Sequence, residues 1–172
     1  RMNNAQGGTR EEGEECPQAK IAIDTDFAFT DTLFEGSEVA AADYVNTLVS
    51  SVAGIYKTSI TDPSGKGMNL KIQYLRLWSV NDDPWTGSSC GGQLPEFINY
   101  WETQMGGIDR HLTHLLIAGF ADGGLAQLWA LCRNGYGISS GMRGTFPMPL
   151  EDEQEGNWDP IVFAHEVGHN FG

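Results

Sequence analysis

The stretch DPIVFAHEVGHNFG, residues 159–172, has the pattern of a helix that carries two histidines on one face. Asp159 is predicted to be the N-cap of this helix, and Pro160 suits its first position. Because His165 and His169 are four residues apart, both imidazoles project from the same face about one turn apart. Two neutral imidazole nitrogens at that spacing can both bind one Zn²⁺, so the stretch predicts a metal site.

Glu166 follows the first of these histidines and is poorly placed to bind the same metal on the same side. Its carboxylate can instead take a proton from water that the metal activates, which is the general-base role in peptide hydrolysis. These residues alone leave two alternatives open. One is a pair of hydrated histidines on an ordinary surface helix, and the other is a metal site without catalysis.

The segment before this helix shows several strand patterns. Ile21–Ile23 predicts a short buried strand that leads through polar turns to Phe27 and Phe29, and residues 68–78 alternate apolar and polar side chains. The continuous apolar run 115–118 predicts a strand that is covered on both faces. Two further strand patterns lie at 125–131 and 136–142.

Two helices are predicted between these strands. The first begins after Ser37 as its N-cap and has apolar residues at helical spacing as far as Ile55 and Tyr56. The second has Pro95 in its first turn and ends at Gly106-Gly107. This order of strands and helices predicts an α/β domain with a mainly parallel sheet.

Charge and hydropathy restrict the possible partners. Acidic residues outnumber basic ones 23 to 10, for a formal charge of −13, which disfavours binding to nucleic acid. The longest apolar stretch, Leu115–Ala121, is far too short for a membrane span.

Residues 1–19 are predicted to be a flexible acidic leader, a possible remnant of a pro-segment. Because the chain opens with Arg1 and no signal-peptide pattern follows, we expect it to be cut from a longer precursor.

The three cysteines, Cys16, Cys90 and Cys132, cannot all pair with one another, and their spacing excludes CxxC modules. Three possibilities remain open. Two cysteines could form a disulfide while the third pairs with a partner outside these residues. The cysteines could instead be reduced, buried thiols, or Cys16 could have a metal-blocking role.

The segment HEVGHNFG resembles the first part of the metzincin zinc-peptidase motif, H-E-x-x-H-x-x-G-x-x-H/D, and most closely its reprolysin, or adamalysin, branch. The run that begins at His114, the Gly124-Leu125-Ala126 segment and the Leu131-Cys132 pair resemble a strand, an edge strand and a cysteine of that branch. The resemblance covers residues 20–172, although only the terminal motif is specific.

The resemblance implies a fold and a set of site residues. Residues 20–172 would be the upper, N-terminal subdomain, with a twisted, mostly parallel five-stranded sheet, one antiparallel edge strand and a C-terminal active-site helix. The protein would be a secreted zinc endopeptidase that acts on peptides or proteins. His165 and His169 would be zinc ligands, Glu166 the general base, and Gly172 the turn that ends the helix. The substrate would bind at Gly124, Leu125, Ala126, Ile161 and Val162.

The same resemblance places the third zinc ligand three residues after Gly172, with a methionine turn further on in a lower subdomain. We therefore expect residues 1–172 alone to bind zinc weakly and to cleave no peptide. Two rivals remain: an inactive binding module with this fold, and a HExxH enzyme whose third ligand is a glutamate on a later helix. His111 and His114 could be proposed as ligands, but a half-buried polar residue at the start of a strand is the favoured interpretation of His114.

Overall fold

The computed structural model describes residues 18–59, 67–131, 133–150 and 155–172. Almost all of the predicted acidic leader, with Cys16, lies outside the described residues, and so does Cys132. The leader therefore stays a prediction.

The described residues form five strands: β1 Ala19–Thr25, β2 Leu70–Leu75, β3 Leu112–Ile117, β4 Gly124–Ala126 and β5 Gly135–Ser140. They lie in one mixed sheet with the order β2-β1-β3-β5-β4. Strands β1, β2, β3 and β5 are parallel to one another, whereas β4 pairs antiparallel with β5 at the edge. The fold class predicted from the sequence is confirmed, including the single antiparallel edge strand.

In the part of the chain that the structure describes, four α-helices cover the two faces of this sheet, together with a 3-10 turn at Glu155–Asn157. Among the described helices, none is both long and apolar enough to cross a membrane. The helices are α1 Phe27–Phe34, α2 Glu38–Ser59, α3 Cys90–Gln104 and α4 Trp158–Phe171.

Strand β3 lies at the centre of the core, and all six of its residues are buried. Leu112 and Leu116 belong to the apolar cluster beneath α2 and α4, whereas Leu115 and Ile117 belong to the cluster beneath α3. This alternation follows from the two-residue period of a strand. It confirms the prediction that this apolar run is covered on both faces.

Helix α2 begins as predicted, because the Ser37 hydroxyl accepts a hydrogen bond from the backbone N–H of Ala40 at 3.2 Å. Its predicted apolar face is buried except at Ile55, which is 38% exposed.

Helix α1 was not predicted, since Phe27 and Phe29 also fit the end of the first strand. Asp26 is the N-cap of this helix, and its carboxylate accepts a hydrogen bond from Phe29 N at 2.9 Å. The strand therefore ends at Thr25, directly before this cap residue.

The strand predicted at 125–131 is also wrong in its extent. Only Gly124–Ala126 is a strand: Gln127 N still bonds to Tyr136 O of β5 at 2.9 Å, but the backbone N–H groups of Trp129 and Ala130 bond to the end of α4. Trp129 N bonds to His169 O at 3.1 Å, and Ala130 N bonds to Asn170 O at 2.9 Å.

Candidate metal centre

Helix α4 is held in place by an aspartate in its first turn. The helix begins at Trp158 with Asn157 as the N-cap residue, so the prediction that Asp159 is the N-cap is wrong. Asp159 is fully buried instead, and its carboxylate accepts hydrogen bonds from Arg143 N and Gly144 N, each at 3.0 Å, and from the Tyr44 hydroxyl. Burial raises the pKa of this carboxyl. Asp159 thereby joins the helix to the segment that follows β5.

The other end of α4 is fixed by Asn170. This residue is fully buried, and its Nδ2 donates to Gln127 O at 2.7 Å and to Tyr136 O at 3.1 Å. One side chain therefore ties the end of the helix both to β5 and to the segment after β4. The two histidines of the helix lie between these anchors at Asp159 and Asn170.

His165 and His169 face each other across one turn of the helix. Their Nε2 atoms are 3.0 Å apart, and their ring centroids are 4.6 Å apart. Two ligand nitrogens at ~2.0–2.1 Å from a tetrahedral Zn²⁺ lie about 3.3 Å from each other. The observed separation thus suits a shared metal ion with little movement of either ring.

Glu166 completes the group. Potential ligand atoms of His165, Glu166 and His169 lie within 4.8 Å of one another. Glu166 is only 4% exposed, and its Oε2 is buried with no hydrogen-bond partner among the described residues. Burial raises the pKa of its carboxyl, although the nearby His165 and His169 oppose this effect. A buried oxygen without a partner is costly, so the site fits a bound group that would satisfy it.

A cavity of about 320 Å³ opens beside this group. Three of the residues predicted to bind substrate, Gly124, Ile161 and Val162, line it together with His165 and Glu166. Gly123 and Trp158 complete the lining, and sequence reasoning had assigned no role to Trp158. The walls next to the polar group are therefore largely apolar.

The other two predicted substrate-binding residues, Leu125 and Ala126, lie on β4. This strand pairs with β5 on one side, and no described strand pairs with it on the other. Leu125 is 40% exposed. The structure thus leaves one edge of β4 open beside the cavity, while substrate binding there stays a prediction.

His114 and His111 lie away from the His165–Glu166–His169 group. His114 is the third residue of β3 and is fully buried, not half-buried at the start of the strand as predicted. Its Nε2 is 2.8 Å from Ser139 Oγ, its ring packs edge-on against Phe163, and burial lowers its pKa to about 3. His111 Nδ1 accepts a hydrogen bond from Lys20 N at 3.2 Å. Both histidines therefore make hydrogen bonds or packing contacts that are typical of a structural role.

Sequence reasoning missed the role of Asn170, although a signal for it existed. Phe163, Val167 and Asn170 follow one another at helical spacing on the face of α4 that is buried. A polar residue on such an apolar face needs buried hydrogen-bond partners, so its position alone could have indicated an anchor.

The comparisons with known proteins agree with this geometry. A sequence model described as Metallo-peptidase family M12B Reprolysin-like matches residues 42–172. The chain belongs to the reprolysin-like metallopeptidases. This confirms the family resemblance that the terminal motif carried. No curated protein matches the sequence of this reprolysin-like chain.

Two solved structures share its fold at low sequence identity. A chain in the structure of a chaperone–substrate complex aligns with a TM-score of 0.58 and 13% identity, over 90% of this chain and 23% of that chain. Metalloproteinase-II from Bacteroides fragilis aligns with a TM-score of 0.51 and 14% identity, over 90% of this chain and 42% of that chain. The reprolysin-like chain therefore spans less than half of either protein.

Cys90 of this reprolysin-like chain is a buried free thiol at the start of α3. Its Sγ lies 3.5 Å from Ser140 Oγ, and burial raises its pKa. A raised pKa keeps the sulfur protonated near neutral pH, so Cys90 has the character of a packed and unreactive thiol.

Proposed function

We propose that this chain is the upper, N-terminal subdomain of a zinc-dependent endopeptidase that hydrolyses peptide bonds. The observation that carries the proposal is the pair of Nε2 atoms, on His165 and His169, that lie 3.0 Å apart beside the buried carboxyl of Glu166. Membership of a metallopeptidase family supports it. The resemblance to reprolysins also supports a location outside the cell.

His165 and His169 would hold the metal through their neutral imidazoles. Bound zinc would supply a Lewis acid that polarises the peptide carbonyl and lowers the pKa of water. Catalytic zinc sites normally have three protein ligands. We propose that the third ligand belongs to a lower subdomain that follows Gly172 in the complete protein, as in the metzincin motif.

Glu166 would act as the general base. A carboxyl whose pKa is raised toward the working pH takes up a proton more readily than an ordinary one, and burial raises the pKa of Glu166 in this way. The carboxylate would accept a proton from the attacking water and then deliver it to the leaving amine. The orphaned Oε2 is the atom best suited to this role, because it has no other hydrogen bond to lose among the described residues.

The substrate would be an extended peptide. The open edge of β4 offers backbone N–H and C=O groups for antiparallel pairing with such a peptide. The cavity lined by Trp158, Ile161 and Val162 would then take the side chain that follows the scissile bond. An apolar side chain suits these walls best, and the formal charge of −13 disfavours strongly acidic peptides.

Replacing the base while keeping the ligands tests this function. In the complete natural protein, Glu166→Gln should retain bound zinc yet lower peptide hydrolysis by about 10²- to 10⁴-fold, because the histidines are unchanged and the proton acceptor is lost. The measurements are the metal content by mass spectrometry and the cleavage of a fluorogenic peptide with an apolar residue after the scissile bond.

Two results would decide against the proposal. Normal turnover by Glu166→Gln would remove the role assigned to Glu166. Bound zinc in the natural protein with no hydrolysis of any peptide in a broad library would favour the inactive binding module.

A further inference from the structure

Gly124, the first residue of β4, lies against the side chain of Glu166. A Cβ atom built at Gly124 would lie 2.3 Å from Glu166 Cγ, 2.4 Å from its Oε1 and 2.5 Å from its Cδ. Carbon atoms in contact are normally about 3.5–4.0 Å apart, so no side chain fits at position 124 while Glu166 keeps its position. The carboxyl group of Glu166 occupies the space that a side chain at position 124 would need.

The strand at Gly124 is held too firmly to move away. Gly123 O accepts hydrogen bonds from Ser140 N at 2.8 Å and from Ser140 Oγ at 2.9 Å. Asp122 N donates to the same hydroxyl at 2.8 Å, and the Asp122 carboxylate accepts from Cys90 N at 3.1 Å. Strand β4 is also paired in register with β5, with Gly124 opposite Ser139. A methyl group at position 124 would therefore displace the flexible Glu166 side chain instead of the strand.

Gly123, the residue before Gly124, favours glycine because of its backbone conformation and not because of a neighbouring side chain. Gly123 has a φ of +82°, a conformation that other residues adopt at a cost, but nothing lies within 4 Å of a Cβ built there. Gly124 has no positive φ, so its backbone would accept an alanine. Replacing Gly123 thus strains the backbone without touching Glu166, whereas replacing Gly124 disturbs Glu166 without straining the backbone.

We propose that Gly124 is a positioning residue for Glu166: the bare backbone of β4 forms the wall that sets where the carboxyl group lies relative to His165 and His169. The inference rests on the proposed function, because the position of this carboxyl matters only if Glu166 takes part in the reaction. The strand that would bind the substrate then also aligns the base.

The test is a double-mutant cycle in the complete natural protein, made of Gly124→Ala and Glu166→Ala, with Gly123→Ala as the matched control. A displacement of about 1 Å in a reacting group can cost about 10²-fold in rate, so Gly124→Ala should lower kcat about 100-fold. Its KM and its bound zinc should change less than about threefold, because the open edge of β4 and both histidines remain. In the Glu166→Ala background, Gly124→Ala should lower the residual rate no further.

A crystal structure of Gly124→Ala supplies a measurement that does not depend on activity, and it should show the Glu166 carboxyl displaced with β4 in place. Gly123→Ala should lower Tm by a similar amount whether residue 166 is glutamate or alanine. If Gly124→Ala fails to fold, the double variant with Glu166→Ala should fold, since the overlapping atoms are gone.

Several results would overturn the proposal. One is a kcat of Gly124→Ala within about threefold of that of the natural protein, and another is an equal loss of rate from Gly124→Ala in the natural and the Glu166→Ala backgrounds. The others are a Glu166 carboxyl that has not moved in the crystal structure of Gly124→Ala, and a double variant of Gly124→Ala and Glu166→Ala that also fails to fold. A displaced carboxyl in a protein that hydrolyses no peptide would instead contradict the proposed function and leave the packing argument intact.

Discussion

Histidines on the two sides of helix α4 have opposite environments: His114 of β3 packs against its buried face, whereas His165 and His169 belong to the helix itself. On the sheet side, His114 is fully buried, lies against Phe163 and has its Nε2 2.8 Å from Ser139 Oγ. On the other side, His165 is exposed, and its Nε2 lies 3.0 Å from that of His169. The side chains are chemically identical, so their surroundings alone distinguish a structural histidine from a potential ligand.

The comparison shows which environment allows metal binding. His114 is enclosed so tightly that a Cβ built at Gly137 would lie 2.8 Å from its Nδ1, and burial lowers its pKa to about 3. The backbone of Gly137 therefore lies directly against Nδ1 of His114. His165 and His169 keep their Nε2 atoms directed toward each other beside an open cavity. An imidazole is present in both places, but the pair on α4 has two ring nitrogens close enough to share one ligand.

The largest effect on stability is expected at the buried histidine. In metal-free protein, His114→Ala should lower the free energy of unfolding by about 3 kcal/mol, because it leaves a cavity between β3 and Phe163. His165→Ala, at an exposed position of α4, should change it by less than about 0.5 kcal/mol. Chemical denaturation of both variants measures the difference. Equal effects at the two positions would remove the distinction between them.

Acid should weaken the fold through His114. Its pKa is about 3 in the folded chain, against 6.5 for an unperturbed histidine, so only the unfolded chain takes up this proton between those pH values. The contribution of His114 to stability should therefore fall by about 1.4 kcal/mol per pH unit as pH decreases through this range.

Asp24 has the opposite effect on the stability of the fold in acid. Burial raises the pKa of its carboxyl to about 6, so the folded chain takes up this proton at a higher pH than the unfolded chain. The measurement is therefore the difference in unfolding free energy between the natural chain and His114→Gln, taken at several pH values without metal. This difference should shrink between about pH 6 and pH 4, and a constant difference would show that His114 does not titrate as described.

A smaller effect is expected at the anchor of α4. Asp159→Asn should lower the free energy of unfolding by about 2 kcal/mol, because an amide cannot accept from Arg143 N, Gly144 N and the Tyr44 hydroxyl at once. Asp31→Asn, on the exposed side of α1, should change it by less than about 0.5 kcal/mol. Thermal or chemical unfolding of both variants provides the measurement. A loss at Asp159 no larger than at Asp31 would mean that this carboxylate does not hold the helix.

Local patterns in the sequence predicted the features that depend on local geometry. The spacing of His165 and His169 on one helix and the apolar run of β3 required no knowledge of tertiary contacts. Helix α1 was missed because its N-cap bond from Phe29 N to Asp26 depends on where the first strand stops. Two apolar residues in that segment, Phe27 and Phe29, fit a strand pattern equally well.

The remaining features depend on contacts between distant segments. The strand does not continue to residue 131 because carbonyl groups at the end of α4 accept hydrogen bonds from Trp129 N and Ala130 N, a contact that no propensity in residues 127–131 indicates. Asp159 had the sequence context of an N-cap, but its partners lie on the loop after β5 and on Tyr44 of α2. The fit of Glu166 against Gly124 likewise appears only when the sheet edge and the helix are brought together.

Metal binding by His165 and His169 is tested most directly by the metal content of four forms of the complete natural protein, measured by native mass spectrometry after dialysis against a trace of zinc. The forms are the natural sequence, His165→Ala, His169→Ala and His111→Gln. We expect one zinc per chain in the natural protein and in His111→Gln, and less than about a tenth of that in the other two, because each loses a proposed ligand. Full zinc occupancy in His165→Ala or His169→Ala, or loss of zinc in His111→Gln, would contradict the assignment of the metal to the exposed histidine pair of α4.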